Sequence, residues 1–125
     1  DLQHEHHANA AMIISRVERV LNRFELAAVE MQYTGGLKAD GIVDLTAFLE
    51  EQNKGVNLLI CDDILMNLFT GTPNRMKIQD KYDVSERTFH RQKNKVKKLI
   101  AELLNSAICK LEIEFEKSKI IMPNC

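Results

Sequence analysis

Six cations with no acid among them lie between positions 87 and 98 of this 125-residue chain. They are Arg87, Arg91, Lys93, Lys95, Lys97 and Lys98. An arginine can donate two hydrogen bonds to guanine, and Asn94, in the same run, can pair with adenine in a similar way. Lysine ammonium groups suit the phosphates of a nucleic-acid backbone. The residue types in this run therefore predict contact with double-stranded DNA.

The positive charge is confined to one part of the sequence. Between Arg75 and Lys98, nine cations and three acids give a net charge of +6, whereas the formal net charge of the whole chain is -1. The remaining residues therefore carry -7. A basic segment on an acidic body is the pattern expected of a protein that binds phosphate backbones. Because lysine-rich helix faces are often only solvated, the prediction also needs a fold that presents these side chains.

Two helices joined by a tight turn are predicted to present them. The first runs from Pro73 to about Lys81, with Thr72 as its N-cap and proline at the first helical position. Asp83 can occupy the turn because aspartate tolerates positive φ better than most residues. Ser85 then caps a second, long helix. This is the helix-turn-helix pattern, expected from about Pro73 to Leu104.

The second helix has one apolar face. We expect its buried residues to be Val84, Phe89, Val96 and Ile100. Ile78 and Tyr82 of the first helix should pack against them. Helical geometry then turns the leading end of the second helix outward, where a recognition helix contacts base edges. The predicted DNA-binding residues are Ser85, Glu86, Arg87, Thr88, His90, Arg91, Lys93, Asn94, Lys95, Lys97 and Lys98.

The run S-E-R-T-x-H-R-x-K, from Ser85 to Lys93, and the apolar Val96, Leu99 and Leu103 resemble a known family. They are similar to the C-terminal helix-turn-helix of the phage-encoded RinA/ArpU-type transcriptional regulators, which look like relatives of sigma-factor region 4. The resemblance covers about Leu65 to Leu104. It implies an activator of late or packaging genes in phages of Gram-positive bacteria. It also implies a cytoplasmic location in a bacterial or phage-infected cell and RNA polymerase as a further partner.

Two positions depart from that family. Gln92 stands where an apolar side chain is usual, and Asp83 stands where glycine is commoner. Both positions belong to the packing around the turn. They bear more on the details of that packing than on DNA binding.

The N-terminal region is predicted to form one long amphipathic helix, from Ala8 to Tyr33, that ends at Gly35-Gly36. Its apolar residues recur every three or four positions: Ile13, Val17, Val20, Leu21, Phe24, Ala28 and Met31. A stripe of this length needs a partner surface, either a second copy or the core of the same chain. We favour a homodimer, because a single helix-turn-helix contacts few base pairs.

The middle of the chain is predicted as a loop, Leu37 to Ile42, followed by two helices. Asp44 is the expected N-cap of a short helix that stops at Gly55. Asn57 is the expected cap of the next helix, which ends at Gly71 and should be buried on most sides.

The segment from Lys110 to Lys117 allows two interpretations. Its apolar and acidic residues alternate, which favours a strand. However, Leu104, Ile108, Leu111 and Phe115 share one helical face with the helix before them. Helix is the favoured alternative.

These elements predict an all-α protein in three parts. They are residues 1–55, helical and oligomerising; residues 56–109, containing the helix-turn-helix; and residues 110–125, a C-terminal tail. No apolar run approaches the ~18 residues of a membrane span, and nothing resembles a signal peptide. The expected location is the cytoplasm, without membrane contact.

Catalysis and metal binding are not predicted. His90 has no nucleophile or carboxylate partner at a suitable spacing. Cys61, Cys109 and Cys125 contain no CxxC pair, so neither a disulfide framework nor a structural zinc site is expected. Histidines at positions 4, 6 and 7 are interpreted as part of a polar tail. No cofactor is expected.

Three functions fit these patterns. The favoured one is a sequence-specific, double-stranded DNA-binding transcriptional regulator that contacts the major groove with the helix from Ser85 to Lys98. The first alternative is a DNA-packaging subunit of the small-terminase kind, which also combines a helix-turn-helix with oligomerising helices. The second is a protein-interaction module that docks on RNA polymerase or a sigma factor.

Overall fold

The computed structural model describes residues 15–36 and 40–117. All regular secondary structure within these ranges is helical. In chain order the helices in these ranges are α1 (15–20), α2 (Arg23–Thr34), α3 (Asp40–Gln52), α4 (Cys61–Thr70), α5 (Arg75–Tyr82) and α6 (Glu86–Lys117). The prediction of an all-α protein is confirmed. In these ranges no helix combines the length and the apolar character that crossing a bilayer requires.

The long N-terminal helix predicted by the apolar stripe is interrupted at Leu21 and Asn22. The side chain of Asn22 accepts a hydrogen bond from the Glu25 amide (2.8 Å), and the Glu25 carboxylate accepts one from the Asn22 amide (2.9 Å). This capping box starts a new helix, because it satisfies amides that have no partner within the helix. The prediction of one continuous helix is therefore wrong here, and residues 8–14 lie outside the described ranges.

The apolar stripe of this region packs inside the protein. Leu21, Ala28 and Met31 are buried, and the ring of Phe24 lies 5.6 Å from that of Phe48 on α3, centroid to centroid. Of the two partner surfaces considered, the described part of the stripe therefore uses the core of its own chain. Ile13 lies outside the described residues.

Glu25 also ties α2 to the distant part of α6. Its Oε1 accepts a hydrogen bond from Lys110 Nζ (2.7 Å), and its Oε2 accepts one from Ser106 Oγ (2.9 Å). Burial raises the pKa of this carboxyl, but the hydrogen bonds from Lys110, the Asn22 amide and Ser106 outweigh it, so the pKa lies below its usual range. The carboxylate is thus buried and ionised, with both oxygens satisfied.

Helix α3 begins at Asp40, so the predicted loop is wrong for residues 40–42 and the predicted N-cap at Asp44 is wrong. Residues 37–39 of that loop lie outside the described ranges. Asp44 lies inside the helix and forms an ion pair with Arg23 (3.2 Å). Gly41 is buried against α2, where an added Cβ would lie 2.8 Å from Met31 Cγ. The close approach of the two helices therefore requires glycine at this helical position.

The segment between α3 and α4 begins with Asn53, so α3 ends before the predicted stop at Gly55. Asn57 Oδ1 accepts a hydrogen bond from the Leu59 amide (3.0 Å), but this closes only a turn, and α4 begins at Cys61. Leu59 is 81% exposed. The predicted helix is therefore shorter than expected at its start, and this part of it is not buried.

Helix α6 is the central element of the fold. It continues without a break to Lys117, so the helical interpretation of Lys110 to Lys117 is confirmed and the strand is excluded there. Its buried face packs against α2, α4 and α5. One apolar core includes Met31, Leu45, Leu65 and Phe89, so it joins the two regions predicted as 1–55 and 56–109.

Candidate nucleic-acid interface

The turn between α5 and α6 has the predicted backbone conformation. Asp83 is left-handed, with φ 52° and ψ 50°, and its amide donates to the carbonyl of Gln79. The Val84 amide donates to the same carbonyl at 3.1 Å. These two bonds end α5, and the positive φ predicted for Asp83 is confirmed. Val84 is only half-buried.

Ser85 is the N-cap of α6, as predicted. Its Oγ accepts a hydrogen bond from the Thr88 amide (3.1 Å) and donates one to Thr88 Oγ1 (3.0 Å). The Phe89 amide donates to the Ser85 carbonyl at 2.9 Å, which is the first bond of the helix. The geometry of this cap fixes where the exposed face of α6 begins.

The start of α5 differs from the prediction. The helix begins at Arg75, and the side chain of Asn74 accepts a hydrogen bond from the Lys77 amide (2.9 Å). Thr72 and Pro73 therefore lie before the cap, where the Pro73 carbonyl accepts a hydrogen bond from Asn67 Nδ2 (2.9 Å). Asparagine is a stronger N-cap than threonine, and its side chain is placed to satisfy the first free amides.

Helix α5 is fixed to its neighbours by one apolar and one polar contact. Ile78 is completely buried, as predicted. Asp63 Oδ2 of α4 accepts hydrogen bonds from Tyr82 Oη (2.7 Å) and Lys81 Nζ (2.9 Å). Burial raises the pKa of Asp63, but these two bonds outweigh it and hold the pKa below its usual range. The same bond to Asp63 raises the pKa of the Tyr82 phenol.

One face of α6 is exposed and basic. Arg87, Arg91, Asn94 and Lys98 recur at steps of four, three and four residues, and all four are exposed. The opposite face is buried, as predicted, through Phe89, Val96 and Ile100. His90 and Lys97 are exposed beside this ridge. In the part of the chain that the structure describes, none of the six cations from 87 to 98 forms an ion pair.

Two of the predicted cations, Lys93 and Lys95, are less exposed than the other four. Lys93 is half-buried, with its Nζ 5.9 Å from the centre of the Phe89 ring. Lys95 Nζ donates a hydrogen bond to the carbonyl of Gly55 (3.3 Å). Since ammonium has three hydrogens, Lys95 keeps two donors for another partner. Thr88 is also half-buried and is engaged in the cap.

Glu86 contacts two cationic or titratable side chains of its own chain. Its Oε2 lies 3.4 Å from Arg75 Nη1 on α5, and its Oε1 lies 3.6 Å from His90 Nε2. Glu86 therefore links α5 to the first turn of α6, a role that the sequence did not indicate. The structure thus supplies His90 with a carboxylate neighbour one turn earlier, although both side chains are exposed.

Gln92 is a buried polar residue within the apolar face of α6. Its Oε1 accepts a hydrogen bond from the Asn57 amide (2.7 Å), and its Nε2 donates one to the Gly55 carbonyl (3.3 Å). A buried amide is tolerated when it is hydrogen-bonded in this way. Gln92 therefore attaches the segment after α3 to the basic helix. The only signal in the sequence was a polar residue where the similar family has an apolar one.

The remaining candidate residues do not join this interface. Cys61 is buried and Cys109 is exposed, and both are free thiols. Burial raises the pKa of the Cys61 thiol. The N-terminal histidines and Cys125 lie outside the described residues.

Comparisons of the chain with models of protein families, with curated proteins and with solved structures found no match.

Proposed function

We propose that this chain is a sequence-specific, double-stranded DNA-binding transcriptional regulator. The observation that supports it best is the exposed basic ridge of α6, opposite an apolar face that holds the helix in the core. Helix α5, the turn at Asp83 and the capped start of α6 support the interpretation of this region as a helix-turn-helix. A helix about 10–12 Å in diameter fits a major groove about 12 Å wide.

Position along α6 separates the proposed roles of the cations. Arg87, Arg91 and Asn94 lie at the leading end, where recognition helices contact base edges. Lys97 and Lys98 follow about three turns after Arg87 and about one turn after Asn94. At ~1.5 Å per residue, Lys98 lies about 16 Å along the helix axis from Arg87, beyond the leading end that contacts base edges. These lysines therefore meet the phosphate backbone.

The resemblance to phage regulators favours an activator of phage or prophage late genes, acting in the bacterial cytoplasm with RNA polymerase as an additional partner. Two copies on one site are proposed as well, since one helix-turn-helix contacts few base pairs. The interface between copies is not assigned to the N-terminal stripe, because Leu21, Ala28 and Met31 of its described part are buried in their own chain.

Selection of bound duplexes from a random-sequence pool, with the purified chain alone, tests the proposal. The wild type should enrich one motif, and the double variant Arg87→Ala/Arg91→Ala should lose the enrichment. Lys117→Ala, at the far end of α6, is the matched control and should retain it. Enrichment that is absent for the wild type would overturn sequence-specific binding.

A further inference from the structure

A concavity beside the basic ridge brings together lysines from two separate parts of the chain. It has a volume of about 340 Å³ and is lined by Lys54, Lys95, Lys98, Leu99 and Glu102. Lys54 comes from the segment after α3, whereas the other four residues belong to α6. Three cations and one carboxylate leave the concavity with a net positive charge.

The position of Lys54 is set by hydrogen bonds to the residues after it. The carbonyl of Gly55 accepts hydrogen bonds from both Gln92 and Lys95, each at 3.3 Å, and the Asn57 amide donates to Gln92 at 2.7 Å. Gly55 has a φ of +78°, and an added Cβ would lie 3.0 Å from Lys95 Nζ. The segment is therefore held against α6, and any larger residue at position 55 would be strained there.

We propose that this concavity binds one phosphodiester group of the DNA backbone, with Lys54, Lys95 and Lys98 as its cationic ligands. The proposal rests on the proposed function, since it places the phosphate beside the helix that enters the groove. Lys98 lies seven residues beyond Arg91, or about 10 Å along the axis. The concavity therefore lies beyond the leading end of α6, on the part of the helix that meets the phosphate backbone. Lysines contribute compact charges with several donors, which suits a single phosphate.

The charge of Glu102 should affect phosphate binding in the opposite direction to the charge of Lys54. Its carboxylate lines the same concavity and is exposed. A carboxylate near a bound phosphate repels it, so removing its charge should strengthen binding. A purely structural role for the concavity would not produce opposite effects from Lys54 and Glu102.

The test is a salt titration of duplex binding by the full chain, with Lys54→Ala, Lys54→Gln, Lys54→Arg, Glu102→Gln and the distant control Lys117→Ala. Loss of one phosphate contact lowers the slope of log K against log salt by ~0.9, which is about eightfold in affinity at ~0.1 M salt. Lys54→Ala and Lys54→Gln should show this loss on selected and random duplexes alike. Lys54→Arg should retain the wild-type slope, Glu102→Gln should bind more tightly, and Lys117→Ala should match the wild type.

The alternative outcomes are distinguishable. If the wild type binds duplexes and the Lys54 variants match it in affinity and slope, the phosphodiester site is wrong and the proposed function stands. If the wild type binds no duplex, the proposed function fails and this site fails with it. A parallel NMR titration with inorganic phosphate separates the two sources of phosphate. If Lys54→Ala abolishes a response to inorganic phosphate but leaves duplex binding unchanged, the concavity is a small-anion site and the proposal is overturned.

Discussion

Individual cations of α6 differ in what they can contact. Arg91 lies on the exposed ridge near the leading end of the helix, and its planar guanidinium can pair with one guanine. We expect Arg91→Ala to cost about 1–3 kcal/mol on the selected site and to relax the preference at one or two base positions. Lys97→Ala should weaken selected and scrambled duplexes about equally and lower the salt slope by about one unit. Fluorescence anisotropy on both duplexes measures the difference.

The contrast between these two variants is the informative quantity. If Arg91→Ala and Lys97→Ala weaken both duplexes by the same factor, α6 recognises only charge. The exposed ridge would then be a phosphate-binding surface without sequence preference.

Gln92 makes a separate prediction about stability. Replacing it with leucine keeps a side chain of similar size in the core but removes the partner of the Asn57 amide and one of the two donors to the Gly55 carbonyl. Leaving the Asn57 amide without a partner costs about 1–3 kcal/mol. Urea denaturation should show this loss for Gln92→Leu, whereas Asn94→Ala, exposed on the same helix, should change stability by less than about 0.5 kcal/mol. If Gln92→Leu and the wild type are equally stable, Gln92 does not hold the segment after α3 against α6.

At the scale of elements, the helix ends that could be predicted from the sequence are those fixed by hydrogen bonds between residues close together in the chain. Ser85 and Asp83 act within a few residues of their own positions, so their types were sufficient to place the turn. The capping box of Asn22 and Glu25 could be predicted from the sequence, since the two side chains of a capping box lie three residues apart. The apolar stripe, which continues through these positions, favoured one uninterrupted helix instead. At α5, proline suggested the start of the helix, although Asn74 next to it is the better cap.

Other features of the elements depend on contacts between distant positions. Gly41 leaves room for the close approach of α2, and nothing near position 41 indicates this contact. Gln92 and Lys95 contact residues 35 to 40 positions earlier in the chain. Periodicity reports which face of a helix is apolar, but not which segment packs against it. Lys54 could not be assigned to the interface for the same reason.

Glu25 connects α2 to α6, and its ionisation gives this connection a pH dependence. Its pKa in the folded protein lies below the usual 4.5, so its contribution to stability is complete above about pH 4.5 and is lost as the pH falls through the folded pKa. Glu25→Gln should lower the free energy of unfolding by about 1–3 kcal/mol at neutral pH, since a charge-assisted hydrogen bond to Lys110 is lost. The difference from the wild type should shrink on acidification.

Denaturation at about pH 7 and at about pH 3 measures this difference, with the exposed Glu50→Gln as control. The control should differ from the wild type by less than about 0.5 kcal/mol at both pH values. If Glu25→Gln lowers the free energy of unfolding by the same amount at both pH values, the loss comes from the shape of the side chain and not from its charge.

For the whole molecule, the uneven charge constrains how DNA would approach under the proposed function. The segment from Arg75 to Lys98 carries +6, while the chain as a whole carries -1. Surfaces outside this segment are therefore acidic on average and repel a phosphate backbone. This favours encounters in which α6 leads. It also requires that any second copy leave the same face free.

The last prediction concerns the number of chains on one site. Two copies related by a two-fold axis should bind a site with two half-sites about 34–36 Å apart, or a multiple of that spacing. Analytical ultracentrifugation at about 10–50 µM should then show two chains on a duplex that carries both half-sites. A duplex that carries only one half-site should bind one chain, with an affinity lower by at least about tenfold if the copies contact each other. Inserting half a helical turn between the half-sites is the control, since it rotates one of them to the opposite side of the duplex. If the second chain binds equally well with this insertion, the copies bind independently and the chain acts as a monomer.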